Sequence, residues 1–176
     1  MINRNRLDIV VFSSLVVVAT AARLVPHWPN FTPLAAVSLF AGFWFARRSV
    51  ALLVPLCAML LSDMVIGGYE PAVMATVYLA LMLPIAFRGI LRTRLSALRI
   101  GGTAIISSIV FFLTTNLAHW LWMGNYSLTL AGLGECYAAA LPFFKYQVMG
   151  DLIWAGGLFG AYAAATAMHR PVRVEA

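Results

Sequence analysis

Apolar residues run along this chain in long blocks, at about residues 8–25, 33–46, 50–66, 71–87, 101–122 and 142–167, and the polar residues gather between them. A bilayer core of about 30 Å takes about 20 helical residues to cross. The pattern therefore predicts an all-α membrane protein of about six transmembrane helices in one bundle. The second block corresponds to only about 22 Å of helix and is expected to be shielded by protein. Thr32 before Pro33, and Glu70 before Pro71, read as N-caps with proline at the first helical position. Pro55 and Pro84 fall inside apolar blocks, where the missing N–H predicts kinks supported by neighbouring helices. No repeat or low-complexity stretch divides the chain, so residues 1–176 read as a single transmembrane domain.

Composition closes the water-soluble alternative. Of 176 residues, 62% are apolar and 10% charged, and mean hydropathy is +0.90; a soluble domain of this size would carry far more charge. The formal net charge of +6 is explained by where the arginines lie. Arg4, Arg6, Arg47, Arg48, Arg88, Arg92, Arg94, Arg99, Arg170 and Arg173 occupy the N-terminus, every second loop and the C-terminus. Basic residues accumulate in loops that are not translocated, which places both termini in the cytoplasm. The distribution is a topology signal and supplies no clustered nucleic-acid surface. The first apolar block resembles a leader peptide up to Ala21, but it continues to Val25, and the loop charges require it as a retained first crossing.

With the arginines assigned to the inner face, the remaining polar residues collect at the outer one. Arg23, His27, Trp28 and Asn30 end or follow the first helix, and Ser62, Asp63, Tyr69 and Glu70 end the third. Asn116, His119, Trp120 and Trp122 lie near the outer end of the fifth; Asn125, Tyr126 and Glu135 follow in its loop. Lys145, Gln147 and Asp151 fall in the first turns of the sixth. Ionisable groups in hydrocarbon cost about 2.5–3.5 kcal/mol each at mid-bilayer, so they face the interior, pair, or line a wet cavity. Bland readings stand beside each: an Arg23–Asp63 structural ion pair, an aromatic belt of Trp28, Trp120, Trp122 and Tyr126, a packed His119, and a snorkelling Lys145. Asp151 is the hardest to place without a partner or a cavity. Gly156, Gly160 and Ala164, and Ser38, Gly42 and Ala46, form small-residue strips suited to close helix packing, within the bundle or against a partner.

No catalytic pattern is present. Neither Asp63 nor Asp151 sits in a Gly-x-Gly-Asp turn, and there is no His-Glu-x-x-His segment, Gly-x-Ser-x-Gly elbow or phosphate-binding loop. His27, His119 and His169 are too dispersed for a metal site, and Cys57 and Cys136 form neither a disulfide framework nor a CxxC pair. The chain reads as a non-enzyme without a cofactor or metal.

The segment Arg23-Leu-Val-Pro-His27-Trp-Pro-Asn30-Phe-Thr-Pro33, with Leu39-Phe-Ala-Gly42, Leu61-Ser-Asp63, Phe143-Phe-Lys145 and Gly150-Asp151, resembles an uncharacterised bacterial family of small six-helix membrane proteins. These are similar to the substrate-binding S components of energy-coupling factor (ECF) vitamin transporters. The resemblance covers nearly the whole chain and implies a multi-pass protein of the bacterial inner membrane, with a vitamin site in its outer half under the loop after helix 1. It further implies docking to an ECF-type ATPase and coupling module. Among solitary S components for cobalamin, a histidine after helix 1, an aspartate on helix 3, a tyrosine further on and a basic residue on helix 6 recur, matching His27, Asp63, Tyr78 and Lys145. The cysteine that those proteins carry between the aspartate and the tyrosine has no counterpart here, and Ser14, Val18 and Ala22 stand where an Ala-x-x-x-Ala docking patch is usual.

The expected function is thus binding and uptake of a vitamin or similar small organic solute, cobalamin or a precursor among them. The site would comprise His27, Trp28, Asn30, Asp63, Tyr78, Asn116, His119, Trp120, Lys145 and Asp151. The alternative is a non-transporting membrane scaffold or assembly partner whose outer polar residues are internal glue.

Overall fold

The structure, a computed structural model, describes residues 3–168 and is helical throughout that span apart from short connections. His169, Arg170 and Arg173 lie outside the described residues. The helices are α1 (Arg4–Leu24), α2 (Leu34–Trp44), α3 (Arg48–Ile66), α4 (Pro71–Met82), which passes through a 3-10 stretch (Leu83–Phe87) into α5 (Arg88–Thr93), then α6 (Ala97–Trp122) and α7 (Leu130–Met168). Five helical runs, counting Pro71–Thr93 as one, are long and apolar enough to cross a membrane. Their outward faces carry rows of exposed aliphatic residues, such as Leu60, Leu61 and Val65 on α3 and Ile105, Ile106 and Ile109 on α6. An apolar surface of that extent needs lipid rather than water around it. This is a multi-pass membrane protein.

The sixth apolar element, α2, is 11 residues long, about 16 Å of helix and too short to cross on its own. It lies at the centre of the bundle, with every residue from Leu34 to Gly42 buried, so its neighbours supply the shielding that its length requires. Pro33 takes the cap position of α2, without a side-chain hydrogen bond, rather than the first helical position expected behind a Thr32 cap. Glu70 caps α4 as expected, its carboxylate accepting from Val73 N at 2.9 Å with Pro71 at the first turn. Pro55 is accommodated within α3, and Pro84 lies in the 3-10 stretch that ends α4.

The largest departure from the sequence pattern is α7. It begins at Leu130 and runs 39 residues through Pro142, so Glu135 and Cys136 are helical rather than in a loop, and Lys145, Gln147 and Asp151 lie well inside the helix. Proline deletes one backbone donor, which a helix otherwise well supported can absorb. The start is set by Thr129, whose Oγ1 accepts from Gly132 N at 3.2 Å. Gly132 is required there, because a Cβ would fall 2.1 Å from the Ser127 carbonyl oxygen.

Among the described residues, the arginines other than Arg23 share one end of the bundle. Arg4 pairs with Asp8 at 3.3 Å and lies over the Trp44 ring, whose Nε1 donates to Asp8 at 2.8 Å. Arg88 donates to the Ala46 carbonyl at 2.7 Å, Arg92 to that of Phe43 at 2.8 Å, and Arg99 to that of Ile90 at 2.9 Å.

The two small-residue strips have different fates. A Cβ on Gly42 would sit 3.0 Å from the Ile85 Cα, whereas Gly156, Gly157 and Gly160 on α7 have nothing within 4 Å. Gly42→Val is expected to lower stability by about 1–3 kcal/mol through overpacking against backbone that cannot move aside. Gly156→Val should stay within about 0.5 kcal/mol. Thermal or denaturant unfolding of both variants in detergent checks the contrast, and equal losses would mean that the α7 strip is packed too.

Candidate functional site

At the end of the bundle opposite that arginine cluster, α1, α2, α3, α4, α6 and α7 surround a cavity of about 570 Å³. Its walls are mostly apolar, from Leu34, Met59, Val73, Val77, Leu81, Phe111, Phe112 and Phe143, with polar groups from Arg23, His27, Asn30, Thr32, Tyr69, Thr115, Asn116, His119, Gln147 and Asp151. An apolar vessel with a few placed polar groups is the usual make-up of a small-molecule site.

One wall is organised by Asp63. Arg23 reaches from α1 to its Oδ1 at 2.7 Å and also donates to Ser62 Oγ, and Tyr78 Oη reaches from α4 to its Oδ2 at 2.7 Å. Asp63 itself is 8% exposed and does not line the cavity. The structural ion pair between Arg23 and Asp63 is therefore present, and it presents the arginine, not the aspartate, to the interior. In the α3–α4 turn, Tyr69 lies near the same pair. Burial first, and the Asp63 charge second, push its phenol above the usual range, so it stays a neutral hydrogen-bond donor at the rim.

The α1–α2 loop contributes His27, Asn30 and Thr32 to the lining. Asn30 adopts a left-handed conformation (φ 62°) that asparagine tolerates better than most residues. The loop is fastened to α7 in two places. Trp28 stacks on Tyr146 with centroids 5.5 Å apart, and Phe31 lies over Gly150, where a Cβ would come within 3.2 Å of the Phe31 Cα. Gly150 is thus the residue that lets the loop seat. His27 Nδ1–H donates to the Val25 carbonyl at 2.7 Å, leaving Nε2 as the free ring nitrogen.

On α6, Asn116 bonds its own helix at the Phe112 carbonyl (2.8 Å), and His119 Nε2 accepts from Asn125 Nδ2 at 3.3 Å. At the inner end, Ser108 Oγ donates to Asp151 Oδ2 at 2.6 Å, and Gln147 Nε2 donates to the Ser108 carbonyl at 3.0 Å. Asp151 and Gln147 are 3% and 5% exposed.

Of the residues expected from the sequence, His27, Asn30, Asn116, His119 and Asp151 meet at this cavity. Trp28, Asp63, Tyr78, Trp120 and Lys145 stand outside its lining. Trp28 acts as the loop's clasp, and Asp63 and Tyr78 lie behind Arg23. Trp120 Nε1 donates to the Ser127 carbonyl at 2.8 Å, holding the α6–α7 turn. Lys145 is exposed on α7, its ammonium 4.8 Å from the Tyr146 ring. Arg23, Tyr69 and Gln147 were visible as outer polar residues but not singled out; Thr115 and the three phenylalanines gave no polar signal to find. Among the described residues, no three His, Cys, Asp or Glu side chains group as a metal site.

Residues 3–173 match a family of unknown function, DUF6580. The chain belongs to that family. No curated protein and no solved structure matches it. What the family member's cavity can do chemically rests on its own residues: an apolar body can be enclosed, and hydrogen bonds offered at both ends.

Asp63→Asn should weaken the hold on Arg23 and cost about 1–3 kcal/mol, since a partly desolvated guanidinium loses its counter-charge. Tyr78→Phe should cost about 1 kcal/mol for one lost hydrogen bond. A double-mutant cycle by thermal unfolding in detergent checks both, and a coupling energy near zero would mean that Asp63 and Tyr78 do not tie α3 to α4.

Proposed function

We propose that this protein is a membrane receptor for a small organic solute, of the S-component type, resident in the bacterial cytoplasmic membrane and not an enzyme. In this reading α2 counts as a sixth, protein-shielded crossing. The arginine-rich end and both termini face the cytoplasm by the positive-inside rule, so the cavity opens outward. The observation that carries the reading is the cavity itself: about 570 Å³ of space among tightly packed helices, lined by phenylalanines and by polar groups from five elements. Packed interiors leave few voids larger than a water molecule, and this volume falls within the range of sites that hold drug-sized ligands.

The volume favours a vitamin or precursor of modest size over an entire cobalamin, whose corrin ring and nucleotide loop need a larger enclosure. The chain carries no nucleotide-binding loop, so energised uptake would draw on a separate ATPase and coupling module of the ECF kind; without one, passage would be slow and facilitated. A second reading, a membrane scaffold, is favoured by the bare glycine face of α7 at Gly156 and Gly160.

Ala140, on the cavity wall, tests between them. Native mass spectrometry of protein released from its host membrane is expected to show a bound species of vitamin size, at least about tenfold less abundant in Ala140→Trp, which fills the space without changing charge. Wild-type protein that carries no such species, or a variant that carries it undiminished, would overturn the receptor reading and leave the scaffold.

A further inference from the structure

The inner end of the cavity holds hydrogen-bond acceptors without donors. Gln147 commits its Nε2 to the Ser108 carbonyl, while its Oε1 is buried with no partner among the described residues. Asp151 accepts from Ser108 Oγ through Oδ2 only, and no lysine, arginine or histidine pairs with it among the described residues. Both side chains line the cavity. The arginine in the chamber's lining, Arg23, is already paired with Asp63.

A buried acceptor left without a donor is costly, and a carboxylate more so, so the carboxylate and the amide oxygen, one turn apart on α7 beside an apolar chamber, constitute a demand for donors. Ser108 cannot meet it, since its one proton is shared between Asp151 and the Ala104 carbonyl. The aromatic lining from Phe111, Phe112 and Phe143 adds a surface that tolerates positive charge, because ring faces are electron-rich.

We infer that the solute enters with a hydrogen-bond-donating nitrogen group, an amine, amidine or amino-heterocycle, bound between Asp151 and Gln147. Its apolar or aromatic part lies against the phenylalanines. This rests on the receptor reading above and names the class of solute. A carboxylate or phosphate at the same end is rejected, because it would bring further acceptors to oxygens that already lack donors.

The test uses full-length protein in detergent and compounds paired so that one N–H group is exchanged for oxygen: pyridoxamine with pyridoxine, thiamine with oxythiamine, and benzylamine with benzyl alcohol. Nicotinate, benzoate and biotin form an anionic set. Thermal shift identifies binders and titration ranks them. At least one nitrogen compound should bind at least about tenfold more tightly than its oxygen partner and than every anion, the scale of one hydrogen bond to a charged group. That preference should fall by about tenfold in Asp151→Asn and in Gln147→Leu. If Asp151→Asn fails to fold, Gln147→Leu decides alone, since leucine keeps the bulk and removes only the amide. Binding by the oxygen or anionic compounds at equal or greater strength, or a preference unchanged in Gln147→Leu, overturns the inference and leaves the receptor standing. No binding by any compound overturns both.

Discussion

The Asp63 carboxylate is the joint of the cavity-bearing half of the bundle. Its two oxygens hold Arg23 of α1 and Tyr78 of α4, each at 2.7 Å, and it projects from α3, so three helices meet at one charge. Within a membrane such a charge must be answered by a partner, and the partner comes from two different helices rather than from water. The consequence is geometric. With α1, α3 and α4 drawn to one point, α6 and α7 form the opposite side, and the space between the two groups is the cavity. Asp63 shapes the site without lining it.

Most other buried polar groups resolve themselves locally. Ser38, Thr103, Ser107 and Thr114 return their hydroxyls to carbonyls four residues back on the same helix, which satisfies them in hydrocarbon without reference to a neighbour. Cross-helix polar contacts are fewer, and they mark the places where helix order is specified: Trp44 with Asp8, Arg23 and Tyr78 with Asp63, Ser108 with Asp151 and Gln147. The Ser108 cluster is the one that leaves acceptors over, and it lies where the chamber is deepest in the bundle.

How much of this the sequence discloses depends on whether a feature is written in local chemistry. Apart from the start of α7, hydropathy locates the long helices to within about two turns, and the described arginines other than Arg23 collect at one end as their spacing suggests. The Glu70 cap is legible because capping is local. The start of α7 is not, because Gly132, Gly134, Glu135 and Pro142 together imitate a loop; the counter-signal, Thr129 before an apolar stretch, is a single residue. Spacing brings His27, Asn30, Asn116, His119 and Asp151 to one end of the bundle, and they converge. Lys145 and Trp120 share that side and point elsewhere, because sidedness is a one-dimensional property and convergence needs the rotation of each helix about its axis. The same limit hides the difference between Gly42, pressed against Ile85, and Gly156, which faces nothing, although both stand in the same kind of four-residue strip.

The rotation and depth of α2 explain a second role for the arginines. A helix this short ends with carbonyls that have no further turn to bond. Arg88 and Arg92 extend from the end of the Pro71–Thr93 run and donate to the carbonyls of Phe43, Phe45 and Ala46. Cations at a helix C-terminus also meet the negative end of its dipole. Residues that look like a pure sidedness signal in the sequence are therefore also the C-terminal cap of the central helix. Because they close α2 at that end, the helix can stop short there, and its other end, at Leu34, stands beside the chamber.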